Sequence, residues 1–194
     1  GNYGLDQSIT ATFQSHRICE EFFKLVSGTY VKIENPFAFQ TKSQMLRGIC
    51  GPRNFNLIAA TSSCDSPLRK KPRDCGYCTS CLLRRFSLYT AELKDEKSYF
   101  EDKLSNPGLF NRKETQAMYG QYKKIEFLLN HGGLDALYKD DPDFYRAEET
   151  SGLEPDIFKN KLNSFLNVYI QECKKIESQL FIDQQNVEEA KAIA

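Results

Sequence analysis

The spacing of apolar positions changes along the chain. Ile18, Phe22, Phe23, Leu25 and Val26 recur at helical intervals, and Gly28 stops that pattern just after its last apolar residue. Tyr30-Val31-Lys32-Ile33 alternates apolar with polar, as a half-buried strand does, and Asn35-Pro36 ends it. Thr41 is placed to N-cap a second helix carrying Met45, Leu46 and Ile49, closed by Gly51-Pro52. Leu57-Ile58-Ala59-Ala60 is a short apolar run that reads as a buried strand. Helix, strand, helix, strand within about sixty residues predicts an α/β fold with a parallel sheet.

Beyond about residue 86 the pattern turns helical throughout. Met118, Tyr122, Ile125 and Leu129 share one face, and His131-Gly132-Gly133 is the predicted stop. Phe158, Leu162, Phe165, Tyr169, Cys173, Ile176 and Leu180 follow at intervals of 4, 3, 4, 4, 3 and 4. That near-heptad stripe must be buried, and the Met118–Leu129 helix of the same chain is the expected cover, ahead of a coiled-coil partner. The predicted organisation is an α/β part over residues 1–92, containing a cysteine loop at 64–85, and a helical extension over 93–194.

Composition narrows the function classes. The 194 residues are 40% hydrophobic and 27% charged, as in one globular domain or a small domain with an extension. Twenty-six basic and twenty-six acidic residues cancel, so no overall field draws the chain to a membrane surface or to nucleic acid. The apolar runs are too short to span a bilayer, and Gly1-Asn2-Tyr3-Gly4 offers no export signal, so a cytoplasmic location is expected. Two histidines leave little material for histidine-based catalysis.

The chemistry is concentrated in Cys64, Cys75, Cys78 and Cys81, four of seven cysteines, spaced C-x10-C-x2-C-x2-C. Two interlocked C-x2-C steps set three sulfurs on one tight loop, Gly76 permits the backbone angles of such a knuckle, and Cys64 completes a shell of four. A shell with no open position implies a structural rather than a catalytic zinc. Cys75-Gly-Tyr-Cys78 read alone also suits a redox pair, and four thiolates also suit an iron–sulfur cluster. Cys19, Cys50 and Cys173 read as ordinary buried thiols. Arg69, Lys70, Lys71, Arg73, Arg84 and Arg85 outnumber Asp65 and Asp74 around the loop. They suit charge compensation of the thiolates or an anionic ligand; without interleaved aromatics, nucleic acid is disfavoured.

Thr61-Ser62-Ser63-Cys64 followed by Cys75-Gly76-Tyr77-Cys78-Thr79-Ser80-Cys81-Leu82-Leu83-Arg84 resembles the zinc loop of the 7-cyano-7-deazaguanine synthase (QueC-like) family. Asn35-Pro36-Phe37 with Thr41-Lys42-Ser43-Gln44-Met45, and Ser15-His16 opening the first helix, look like that family's upstream segments, over roughly residues 1–92. The resemblance implies the C-terminal part of a doubly wound parallel sheet of the adenine nucleotide alpha hydrolase type, with ATP and Mg²⁺ as cofactors. It also implies adenylation of a 7-deazaguanine carboxylate followed by amide formation. Lys42, Arg84, His16, Thr61 and Ser63 are the substrate- or nucleotide-binding candidates. The family's S-G-G-x-D-S phosphate loop is not in this chain; Gly4-Leu5-Asp6-Gln7-Ser8 only echoes it, so the catalytic residues are left open and the missing N-terminal part, whether a separate chain, a cleaved fragment or simply not in this one, is an expected partner. The long helical extension points to a bacterial member from antiphage defence, where a deazaguanine is joined to a partner protein. The alternative is a non-catalytic zinc-stabilised interaction module whose helical tail binds a partner protein.

Overall fold

A computed structural model describes residues 12–49, 55–65, 74–101, 104, 107–110 and 112–193. Among the described residues eight helices follow one another: α1 (Phe13–Ser27), α2 (Lys42–Ile49), α3 (Phe55–Ala60), α4 (Thr79–Thr90), α5 (Pro107–Phe110), α6 (Lys113–Asp140), α7 (Asp143–Ser151) and α8 (Pro155–Ile193). Among the described residues there is no sheet, and the parallel bridge between Asp74 and Tyr99 stands isolated. The expected α/β fold, as the end of a doubly wound parallel sheet, is therefore incorrect.

Both expected strands fail for identifiable reasons. Leu57-Ile58-Ala59-Ala60 forms the end of α3, with Leu57 exposed; an apolar run of four has no period that separates strand from helix. Tyr30–Ile33 is neither helix nor strand and has no ladder partner among the described residues. Side chains hold it instead: Glu20 on α1 accepts from the Ile33 N–H at 2.8 Å and from the Tyr30 hydroxyl at 3.2 Å. Alternation pointed to an extended segment, and only a neighbouring strand could have made it a sheet.

Local signals set the helix ends. Thr12 caps α1, its Oγ1 accepting from the Ser15 N–H at 3.2 Å, and Gly28 closes it in the left-handed region at φ 68°. Thr41 and Gln44 form a reciprocal capping box: Thr41 Oγ1 accepts from the Gln44 N–H at 3.3 Å, and Gln44 Oε1 accepts from the Thr41 N–H at 3.0 Å. The expected stop at His131-Gly132-Gly133 is a break rather than an end. Gly133 leaves helical geometry at φ 62° and ψ −154°, and helix resumes to Asp140.

The chain divides into two compact units. The first comprises residues 40–122 and 168–193, the second residues 12–39 and Lys123–Asn167. In the second, Phe158, Leu162 and Leu166 of α8 form one buried cluster with Leu137 and Tyr138 of α6, joined by Ile125, Leu128 and Leu129. Phe158 is 1% exposed and meets Phe13 and Phe39 edge-on; burying such a side chain contributes about 1.5–3 kcal/mol. The expected cover for the α8 stripe is thus right, but its phase is not. Phe158, Leu162, Leu166 and Ile170 are buried at strict intervals of four, while Phe165 and Tyr169 are only half-buried. In the first unit Leu82, Phe86 and Leu109 form a separate cluster with Met118 and Ile176 against it. Leu180's side chain, Cys50 and Gly51-Pro52 lie outside what the structure describes.

The α1 stripe departs furthest from expectation. Ile18, Phe22, Leu25 and Val26 are 59%, 59%, 85% and 70% exposed, and the Cys19 thiol is exposed with them, not buried. The face that packs is the other one, where Phe13 joins the core and α1 lies against α7, with Arg17 Nε donating to the Thr150 carbonyl at 3.1 Å.

Glu20 generates a pH prediction. The Ile33 N–H holds its carboxyl below the usual 4.5, against the burial that would raise it, with Arg17 and Tyr30 adding to the lowering. A depressed carboxylate pKa contributes stability that is present above the unfolded value and lost as pH falls through the folded one. Thermal melts should therefore show Glu20→Gln less stable than the parent at pH 7, with the difference closing below about pH 4. A pH-independent difference would assign Glu20 a purely steric role.

Candidate metal centre

The cysteine loop is built from the backbone upward. Cys75 begins a tight turn, Gly76 sits at φ 83°, and Cys78 N-caps α4, so that Cys81 falls in its first turn. Each amide in turn donates to the preceding cysteine sulfur. The Cys75 N–H donates to Cys64 Sγ at 3.3 Å, Cys78 N–H to Cys75 Sγ at 3.2 Å, and Cys81 N–H to Cys78 Sγ at 3.5 Å. All four sulfurs lie within 4.8 Å of one another, with Cys75 and Cys81 buried and 3.9 Å apart at sulfur. Thiolates about 2.3 Å from a tetrahedral zinc stand roughly 3.8 Å apart, so the spacing fits a single ion. The four cysteines thus form a cluster of the kind that binds metal, as their spacing implied.

The thiols differ in how readily they ionise. Burial pushes Cys81 upward strongly and Cys78 up to about 11. Burial also acts to raise Cys75, but the Tyr77 and Cys78 backbone N–H groups outweigh it and lower that thiol. Ionising all four inside so small a volume requires a cation.

A second segment closes over the loop. Phe100 N–H donates to the Asp74 carbonyl and Glu101 N–H to the Cys75 carbonyl, each at 3.0 Å. Arg85, 5% exposed, spans the same junction, its Nη1 donating at 2.9 Å to the Gly76 and Glu101 carbonyls while the guanidinium lies 4.6 Å from the Tyr99 ring centre. Asp74 is anchored by Lys97 at 2.8 Å and by the Ser62 hydroxyl at 2.6 Å. Burial would raise its carboxyl, and those two partners outweigh it and hold it low. Beside this junction lies a cavity of 270 Å³ lined by Arg85, Tyr89, Asp95, Lys97, Tyr99 and their apolar neighbours. Its ionisable groups already serve the fold: Lys97 pairs with Asp74, and Asp95 accepts from the Tyr99 hydroxyl at 2.7 Å.

The candidate ligand-binding residues fare unequally. Arg84, 9% exposed, donates to Thr61 Oγ1 and to the Ile58 carbonyl, both at 2.6 Å, so it ties α4 to the end of α3 and its Nη atoms are committed to the protein. Thr61 is that acceptor, and Ser63 is half-buried one residue before Cys64. Lys42 stands exposed at the start of α2, and His16 is half-buried on α1, which belongs to the other unit. Arg69, Lys70, Lys71 and Arg73, and the Gly4–Ser8 echo, lie outside the described residues. Lys97, Tyr99 and Glu101 were not found by sequence reasoning, and Asp74 entered it only as an acidic neighbour of the loop. They sit in polar stretches whose spacing carries no metal-ligand or helical signal, and only the fold brings 97–101 to the loop. No described helix is long and apolar enough to cross a membrane.

The chain matches no protein-family model, no curated protein and no solved structure.

Gly76 is where the geometry is least tolerant. Its φ is left-handed, and a Cβ there would lie 2.4 Å from the Glu101 carbonyl oxygen and 2.9 Å from Tyr99 Cβ. Gly76→Ala should therefore lower stability by more than the ~1–2 kcal/mol of the backbone conformation alone, with metal retention falling in parallel. Gly48→Ala, where nothing lies within 4 Å of the new Cβ, is the control. Equal thermal midpoints for the two variants would contradict this packing.

Proposed function

We propose that this chain is a helical interaction module organised by one structural zinc ion held by Cys64, Cys75, Cys78 and Cys81. The observation that carries the reading is the closed set of four mutually adjacent sulfurs, each of the last three amides bonded to the preceding one. Four thiolates leave no position for a substrate or an activated water, so the ion's contribution is to folding. Arg84, Arg85 and Asp74 around it are spent on carbonyls, hydroxyls and Lys97, which is what a structural shell requires. A soft all-sulfur set favours zinc or iron over Mg²⁺, and the thiols' demand for reducing conditions suits a cytoplasmic setting.

The face of the tail that carries Phe158, Leu162, Leu166 and Ile170 is taken up within the chain. Its stripe from Phe158 to Ile170 is buried, mostly within the chain's own core cluster. A partner must use another face.

A second reading keeps the resemblance to QueC-like enzymes: one part of an ATP-dependent ligase that adenylates a 7-deazaguanine carboxylate. It is supported by two bonds that join the resembling segments, Arg84 Nη1 donating to Thr61 Oγ1 and the Cys75 N–H to Cys64 Sγ. ATP and Mg²⁺ would then be supplied with a phosphate-binding part on another segment or chain. On both readings the chain alone is expected to release no pyrophosphate from ATP; turnover by residues 1–194 would overturn the module reading and this division of the active site together.

The module reading predicts one zinc per chain by elemental analysis and a large fall in thermal midpoint on chelation. Metal binding and folding are coupled in such sites, so Cys78→Ser should lower stability along with metal content. Stoichiometric iron, or a metal-free chain that melts unchanged after chelation, would refute it.

A further inference from the structure

We infer that residues 95–101 form a strap that gates the four sulfurs, so that zinc exchange and attack on the buried thiols both wait for its release. This rests on the zinc-centre reading and adds how access to that centre is controlled. Side chains alternate along the strap: Asp95, Lys97 and Tyr99 are half-buried or buried, while Glu96, Ser98 and Phe100 are exposed. Tyr99, 6% exposed, belongs to the same buried cluster as Cys75 and Cys81, each 1% exposed. The strap lies close on the loop. A Cβ on Gly76 would meet the Glu101 carbonyl oxygen, Tyr99 Cβ and Arg85 Nη1 at 2.4, 2.9 and 3.1 Å.

Three properties make this segment a gate rather than a fixed wall. Its backbone holds the loop through the Phe100 and Glu101 N–H groups, on the Asp74 and Cys75 carbonyls, and the Asp74–Tyr99 bridge is isolated among the described residues. Side chains supply the rest: Lys97 pairs with Asp74 at 2.8 Å, and Arg85 Nη1 donates to the Gly76 and Glu101 carbonyls at 2.9 Å. A few local bonds, rather than a cooperative ladder, therefore set the free energy of opening. The 270 Å³ cavity lined by Asp95, Lys97, Tyr99 and Arg85 leaves the strap's inner side chains space to move into. The sulfurs also fall into two classes, with Cys64 and Cys78 half-buried and Cys75 and Cys81 buried. Zinc leaves only when all four thiolates have been displaced, so the two packed against Tyr99 set the pace.

Two measurements on the full chain test the gate: zinc transfer to the chelator pyridylazoresorcinol, and alkylation of Cys75 and Cys81 by iodoacetamide, read by mass spectrometry. For the parent, the transfer rate should level off as chelator is raised, because strap release becomes limiting. Arg85→Met and Lys97→Met should each speed transfer by roughly tenfold or more, the rate equivalent of one lost charge-assisted hydrogen bond. Their rates should also rise linearly with chelator while zinc content stays at the parent's level. Lys97→Arg, which keeps the pair with Asp74, should return the parent's plateau. A plateau that is raised but still flat marks a weakened shell rather than an opened strap and overturns the gate, as does a rate that both Met variants leave unchanged. A chain that carries no zinc removes the module reading. The gate then stands or falls on alkylation, which the Met variants should speed at Cys75 and Cys81 and leave unchanged at the exposed Cys19.

Discussion

Four thiolates brought within one coordination shell are the constraint on which the first unit depends. Two of them, Cys75 and Cys81, are buried, and burial opposes the ionised state of Cys78 and Cys81. In the ionised state such a group of sulfurs calls for a cation at its centre. Once it is present, the loop has a rigid point to which other segments attach. α4 starts on it through the Cys78 cap, and residues 99–101 pair with 74–76 above it. Arg85 closes the junction with two carbonyl bonds, and Asp74 with Lys97 flanks it. A metal ion would give this small irregular region an order that a buried cluster of two cysteines and a tyrosine does not supply.

The second unit works by ordinary packing. Phe158, Leu162 and Leu166 meet Leu137 and Tyr138, and Phe13 and Phe39 meet Phe158 edge-on. Glu20 provides the polar counterpart, fixing the Tyr30–Ile33 segment to α1 through charge-assisted hydrogen bonds rather than through a ladder. These are two separate solutions to the same problem of ordering chain without a sheet.

What the sequence revealed follows from which physical signals are local. The C-x2-C-x2-C loop, Gly76 and the Thr41 cap were legible because ligand spacing, left-handed backbone and capping each act within a few residues. The α8 stripe was legible as a buried face, but its phase was misjudged because a 3–4 alternation and a strict interval of four both fit the apolar positions. The sheet was misjudged because alternation in Tyr30–Ile33 and the apolar run at Leu57–Ala60 specify extended or buried chain and not its pairing partner. The α1 stripe gave the right helix and the wrong environment; amphipathicity shows that a face is apolar, not that this chain covers it. Lys97 and Tyr99 gave no signal at all, since their roles arise only when residues 95–101 reach the cysteine loop.

The metal's coordination tests the central claim most directly. Zinc K-edge X-ray absorption on the purified chain should show four sulfur neighbours at about 2.3 Å and no nitrogen or oxygen in the first shell. A shell containing nitrogen or oxygen, fewer than four sulfurs, or no bound zinc would contradict the account of a closed structural centre.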